Sequence, residues 1–193
     1  MHFLSALRNP HGETAGHRRT VLTAGSGALF TALFCSFVVA APANAEFAAK
    51  DAQVMARVMG FMDQPPPASV KLGIVYDAGN QKQAEALMAQ LGGSLAAGKF
   101  TLVPTLVKIG DVGSANVNAV VLMAGTGGAA NVAAITKSKK IPCFTGDRTE
   151  VSSGACLIGI NTDPKVEILL NKNLAASSGI SFGAAFKMMI TEI

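Results

Sequence analysis

The sequence predicts an α/β domain in which a mixed sheet of about six strands is flanked by helices, with a C-terminal antiparallel hairpin and a closing helix. Short apolar runs bounded by turn-forming residues alternate with stretches of helical periodicity, which is the pattern of β-α-β units. Near the C-terminus, two apolar runs are separated only by the turn cluster of residues 161–164. That spacing predicts the hairpin.

The first half of the domain begins with a helix over residues 47–62, which the prolines at 65–67 end. A buried strand follows at 70–76, then a turn at 77–80 and a helix that reaches Leu91 before Gly92 and Gly93. Residues 100–109 are extended. Pro104 removes a hydrogen-bond donor from this strand and therefore predicts a position at the edge of the sheet.

In the second half, residues 117–124 form the best candidate for a central strand, and the glycine-rich segment 125–128 leads into a helix ending near Lys137. Three further strands are predicted at 141–145, 154–160 and 165–170, the last two forming the hairpin. The closing helix is predicted from apolar residues at helical spacing, namely Phe182, Phe186, Met189 and Ile193.

Residues 1–45 have the features of an export signal, which leaves residues 46–193 as a single domain. Arg18 and Arg19 precede a long uncharged run that ends in the small-x-small pattern Ala43-Asn44-Ala45. This pattern predicts cleavage before Glu46, and the glycines and serines in the run argue against a permanent membrane anchor. The twin-arginine route and the general secretory route both remain open. Either route predicts a periplasmic protein.

The composition bears on chemistry because His2, His11 and His17 all lie in this predicted leader and the chain has no Trp. A domain without His excludes Ser-His-Asp and Cys-His catalysis and any metal site built on imidazole. The sequence therefore favours a protein that is not an enzyme and needs no cofactor. The formal net charge of the whole chain is only +4, which gives no electrostatic reason to expect nucleic-acid binding.

The predicted ligand-binding residues follow two of the strands. A glycine-rich loop between a strand and a helix presents backbone amides that can hold an anion or a phosphate, although a tight turn explains the same glycines. Residues 145–147 end a strand and are expected to line a cleft beside this loop. Asp147 and Arg148, near Glu150, are expected to form a surface ion pair that contributes little to stability. The candidate binding residues are Asp77, Asn80, Gly125, Thr126, Gly127 and Gly128.

Removal of the leader takes Cys35 away and leaves an even pair, Cys143 and Cys156. In an oxidising compartment such a pair predicts a disulfide. Two buried free thiols on neighbouring strands are the alternative.

Several segments resemble the YfiR-like family of periplasmic regulators. Residues 141–147 (Ile-Pro-Cys-Phe-Thr-Gly-Asp) are similar to its strand ending in a Gly-Asp turn, and residues 154–159 and 165–171 to the two strands that follow. Residues 61–65 (Phe-Met-Asp-Gln-Pro) resemble the family's Phe-Val-Glu-Trp-Pro. Gln64 replaces the Trp and Tyr76 stands where Gly is usual, which weakens any transfer of a binding surface.

This resemblance implies a regulator that restrains a membrane-bound diguanylate cyclase by binding its periplasmic sensor domain, and so lowers cyclic-di-GMP and biofilm formation. It also implies a possible homodimer and a structural role for a Cys143–Cys156 disulfide. The alternative is a periplasmic small-ligand sensor or single-lobe solute-binding protein, with its site near Asp77, Asn80 and residues 125–128. An unrecognised hydrolase ranks below both.

Overall fold

The computed structural model describes residues 46–193, so the predicted leader, with its histidines and Cys35, lies outside the described residues. The sheet contains eight strands rather than about six. The strands are β1 (Ser69–Tyr76), β2 (Leu95–Ala97), β3 (Phe100–Lys108), β4 (Ala119–Leu122), β5 (Cys143–Thr145), β6 (Ile158–Asn161), β7 (Glu167–Leu170) and β8 (Thr191–Glu192). The helices are α1 (Ala49–Met59), α2 (Gln81–Leu91), α3 (Ala129–Lys139), α4 (Arg148–Ser152), α5 (Lys172–Ser178) and α6 (Ala184–Lys187), and a 3-10 turn spans Ile109–Asp111.

The strand order is β2-β3-β1-β4-β5-β6-β7-β8. The five strands from β3 to β6 in this order are parallel, as expected for β-α-β units. The predicted hairpin is confirmed, because β6 and β7 pair antiparallel with Ile158 opposite Leu170. The mixed sheet flanked by helices is therefore confirmed, while the strand count was too low.

The two additional strands are β2 and β8, and both lie at the ends of the sheet. β2 pairs with the first three residues of β3, so the prediction that β3 is the edge strand was wrong. Pro104 is nevertheless tolerated because it lies beyond the part of β3 that β2 covers, opposite Leu72 of β1.

The predicted closing helix is replaced by two short elements. α6 is a single turn of four residues, and the chain then extends so that Thr191 pairs with Leu169 of β7 in parallel. Phe182 and Phe186 still pack into the core. Met189 is 62% exposed. The helical spacing of the apolar residues was thus outweighed by backbone pairing with β7.

Two hydrophobic clusters cover the two faces of the sheet. One contains Leu72 and Ile74 of β1 together with Leu87 of α2 and much of α1. The other contains Val75 of β1 and Val132 of α3. Because neighbouring residues of a strand point to opposite faces, α2 and α3 lie on opposite sides of the sheet. Within residues 46–193, no helix is long and apolar enough to cross a bilayer.

Candidate functional site

The topology places a switch point between β1 and β4, which are neighbours in the sheet, and we call the space outside their carboxyl ends the crevice. The chain leaves β1 towards α2 on one face and leaves β4 towards α3 on the other. In open α/β sheets, ligands bind outside the carboxyl ends of the strands at such a switch point, where two adjacent loops diverge. The segments that border this crevice are residues 77–80 and 124–128.

Asp77 bridges the two loops. One carboxylate oxygen, Oδ2, accepts a hydrogen bond from the Gly127 amide at 2.6 Å, and Oδ1 accepts one from the Gly79 amide at 2.7 Å. These amide bonds, that of Gly127 first, hold the pKa of Asp77 below its usual value. Asp77 is therefore a carboxylate at neutral pH, and it lies at the mouth of the crevice.

Asn80 makes a second, buried connection between the loops. Its Oδ1 accepts from the Asp77 amide at 2.9 Å, and its Nδ2 donates to Thr126 Oγ1 at 2.8 Å and to the Ala124 carbonyl at 3.2 Å. The Thr126 hydroxyl donates onward to the Met123 carbonyl at 2.6 Å. Asn80 and Thr126 are each only 5% exposed. Their hydrogen bonds therefore hold the two loops together from the protein interior.

The glycines allow this arrangement. Gly125 and Gly128 have φ values of 74° and 81°, which side chains rarely tolerate. A Cβ atom on Gly127 would lie 3.2 Å from Asp77 Oδ2. All six predicted binding residues thus meet at one place. The Gly127 amide, however, is used internally by Asp77, which favours the tight-turn interpretation and makes a phosphate an unsuitable ligand.

Glu150 approaches the same loops from below. It is 8% exposed, and its Oε2 accepts a hydrogen bond of 2.5 Å from the Thr145 hydroxyl at the end of β5. Burial raises the pKa of Glu150 to about 7, an effect that the hydrogen bonds from Thr145 and the Gly125 amide reduce and the nearby Asp147 charge increases. Residues 145–147 therefore do lie beside the glycine-rich loop, as expected.

The sequence does not predict a role for Glu150 in the site, and the predicted ion pair between Asp147 and Arg148 was wrong. Arg148 pairs with Glu167 at 3.2 Å. The Asp147 side chain instead caps α4 by accepting from the Thr149 amide at 2.7 Å. An Asp followed three residues later by Glu is a helix-start pattern, and this signal predicts α4.

Cys143 and Cys156 form a disulfide, which resolves the two alternatives in favour of the bond. Their Cα atoms lie 5.1 Å apart, and both residues are fully buried in the cluster that contains Val132 of α3. The bond links β5 to the segment before β6 and closes the loop that carries α4. It is part of the core and not of the crevice.

No protein-family model and no curated protein matches the chain. Its fold is similar to that of an ABC domain from Streptococcus pneumonia in complex with L-Trp, with a TM-score of 0.53 and 16% identity over 74% of this chain. It is also similar to the ligand-free, open structure of a substrate-binding protein with adhesive properties from Clostridium difficile, with a TM-score of 0.51 and 13% identity over 76% of this chain. The chain spans 60% of the length of each structure.

Proposed function

We propose that the protein is an exported binding protein whose crevice between β1 and β4 takes a small polar ligand. The observation that carries this proposal is that hydrogen bonds join Asp77 and Asn80 to residues 124–128 at the switch point of the sheet. The fold likeness to an L-Trp-bound domain and to a substrate-binding protein supports it. The disulfide supports export, because such bonds persist in oxidising compartments.

The charge at the crevice defines the class of ligand. Asp77 is ionised and its two oxygens already hold the nearest loop amides. The remaining lone pairs of the carboxylate accept hydrogen bonds, so the ligand presents donors, as an amino acid or a sugar does. Phosphates and nucleotides are repelled.

A thermal-shift screen of the exported protein tests this function. Amino acids and small sugars are compared with phosphate and nucleotides, and we expect a saturable rise in melting temperature with a donor-bearing ligand only. The rise disappears in Asp77→Ala and persists in Asp111→Ala, the same change at an exposed acid in the 3-10 turn. A rise that Asp77→Ala retains, or one caused by phosphate, contradicts the proposal.

A second candidate function is the one that the YfiR-like resemblance implies, restraint of a membrane-bound diguanylate cyclase. The observation that favours it is an apolar surface: Val166, Met188 and Met189 are 60%, 82% and 62% exposed. Val166 immediately precedes β7, and the two methionines shortly precede β8, which pairs with β7 in parallel. The three side chains therefore lie at the same end of one strand pair, where they offer a patch for a protein partner.

The cellular level of cyclic-di-GMP distinguishes this candidate from the first. Overproduction of the protein in its native cell lowers cyclic-di-GMP if it restrains a cyclase. The double variant Met188→Ser/Met189→Ser loses this effect, whereas Asp77→Ala keeps it. An unchanged cyclic-di-GMP level on overproduction of the wild type contradicts the regulatory role.

A further inference from the structure

Met188 and Met189 are the most exposed large apolar side chains of residues 46–193. Met188 is 82% exposed and Met189 is 62% exposed. A thioether that solvent reaches is also reached by dissolved oxidants, which convert it to a sulfoxide. The two neighbouring residues therefore present two oxidisable sulfur atoms at one place on the surface.

The other methionines of the described chain are protected by packing. Four of them are buried, and the fifth is partly buried against the hydrophobic core. They are Met55, Met59, Met62, Met123 and, as the partly buried one, Met88. An oxidant that meets the folded protein therefore reaches the sulfur atoms after α6 far more readily than those in the core.

The backbone that carries the exposed pair is held by contacts that do not involve sulfur. Phe186 is buried, and its ring stacks on that of Phe61 with the two centroids 5.4 Å apart. The Met189 amide donates a hydrogen bond to the Phe186 carbonyl at 2.9 Å, and the Met188 amide donates to the Ala184 carbonyl at 3.3 Å. An oxygen atom added to either sulfur breaks none of these contacts.

We propose that Met188 and Met189 are an oxidation site, at which a peroxide converts both thioethers to sulfoxides while the fold stays intact. With hydrogen peroxide, a sulfur lone pair attacks one oxygen atom, the O–O bond breaks and an S–O bond forms. The proton of the transferred hydroxyl passes to the departing hydroxide, which leaves as water. Each sulfur loses two electrons, and each peroxide molecule gains them.

Oxidation changes the character of the surface around the pair. A sulfoxide is polar and accepts hydrogen bonds, so the apolar patch that the two methionines form with Val166 becomes polar. Sulfoxide reductases reverse the step, which makes the change reversible. Release of a protein partner by this change rests on the second candidate function, whereas the oxidation site rests on neither proposed function.

The test treats the folded exported protein with hydrogen peroxide and follows each methionine by peptide mass spectrometry. We expect Met188 and Met189 to oxidise about ten-fold faster than Met55 and Met59, or more. In urea the four rates agree within about two-fold, because unfolding removes the protection. The circular dichroism and the melting temperature of the folded protein stay unchanged while only the exposed pair is oxidised.

The matched control is Met188→Leu/Met189→Leu, which keeps two apolar side chains of similar volume and has no sulfur at these positions. Peroxide shortens the retention of the wild type on a hydrophobic-interaction column and leaves that of the variant unchanged. Equal oxidation rates of exposed and core methionines in the folded protein overturn the proposal. Loss of the fold on oxidation of the pair, or unchanged retention of the oxidised wild type, overturns it as well.

The cellular level of cyclic-di-GMP separates this site from the second candidate function. If the protein restrains a cyclase, peroxide raises cyclic-di-GMP in cells that overproduce the wild type and not in cells that overproduce the leucine variant. A wild type that never lowers cyclic-di-GMP contradicts that function alone, because mass spectrometry decides the oxidation site independently.

Discussion

Glu150 shows how one buried carboxyl group makes the stability of this protein depend on pH. Its ordinary pKa is 4.5, and burial raises that value to about 7 in the folded protein. The folded state therefore binds more protons than the unfolded state between these two values, and stability falls as the pH rises through this window. Asp77 does not disturb this window, because its lowered pKa affects stability only below its ordinary value of 3.8.

We predict that the free energy of unfolding decreases by about 3 kcal/mol between pH 5 and pH 8, since each unit of pKa difference corresponds to about 1.4 kcal/mol. Glu150→Gln keeps an acceptor for the Thr145 hydroxyl and has no proton to lose, so the decrease disappears in this variant. Urea unfolding at the two pH values measures the effect, with the exposed Glu85→Gln as control. A wild type that is equally stable at both pH values contradicts the prediction.

At the residue scale, the sequence predicts only the part of the site that follows strands directly. Asp77 and Gly125 come immediately or almost immediately after runs of apolar residues, so their place at the carboxyl edge of the sheet follows from the strand pattern. Glu150 looks like a surface residue in the sequence. Its burial is decided by the packing of α4 against β6, which no local pattern reports.

Among the elements, α4 and β6 approach each other closely, and Gly159 permits it. A Cβ atom at this position would lie 2.9 Å from Val151 Cγ2 of α4 and 3.5 Å from the Leu169 Cβ on β7. Real Cβ atoms do not come so close to a branched side chain. The small residue is required by packing and not by a special backbone conformation.

We predict that Gly159→Ala lowers the free energy of unfolding by about 1–3 kcal/mol, because an extra methyl group in a filled core forces its neighbours apart. The control is Gly93→Ala, where nothing lies within 4 Å of the added atom. Its effect is within about 0.5 kcal/mol, as for most surface changes. Chemical denaturation of both variants gives the comparison, and equal values for the two contradict the packing argument.

The elements also show which local patterns are informative. The sequence predicts β1, β4 and the hairpin strands because each of them is a continuous apolar run between turn-forming residues, which is the pattern of a buried strand. β8 has two residues, and both are exposed. Its existence depends on the neighbouring β7 and not on any preference of Thr191 or Glu192, so it cannot be read from the sequence.

At the scale of the whole molecule, the disulfide closes a loop that carries α4 and with it Glu150. Cys143 and Cys156 are 13 residues apart in the sequence. Cross-linking a loop of this size restricts the unfolded chain and stabilises the fold by about 3 kcal/mol.

We predict that Cys143→Ala/Cys156→Ala, or reduction of the wild type, lowers the free energy of unfolding by about 3 kcal/mol without changing the fold. Peptide mapping without reduction establishes the bond in the exported protein, and denaturation with and without a reducing agent measures its contribution. Two free thiols at these positions in the exported protein would refute the role that we assign to the bond.

The strand order of the whole sheet was not predictable from local signals. It depends on which strands pair across long separations. The alternation of helices and strands predicts parallel strand pairs, and the short turn before β7 predicts the hairpin. Neither signal predicts that β1 lies between β3 and β4 in the sheet. The crevice exists because of that position.

The two outermost strands, β2 and β8, have only three and two residues. A long, flat outer strand is a template on which other chains polymerise into fibrils, whereas two or three residues offer too few free amides and carbonyls for that growth. Where β3 extends past β2, Pro104 interrupts the row of amide donors. The shortness of the outer strands, which local sequence patterns do not predict, and Pro104, which the sequence does show, are therefore both features that disfavour edge-to-edge association.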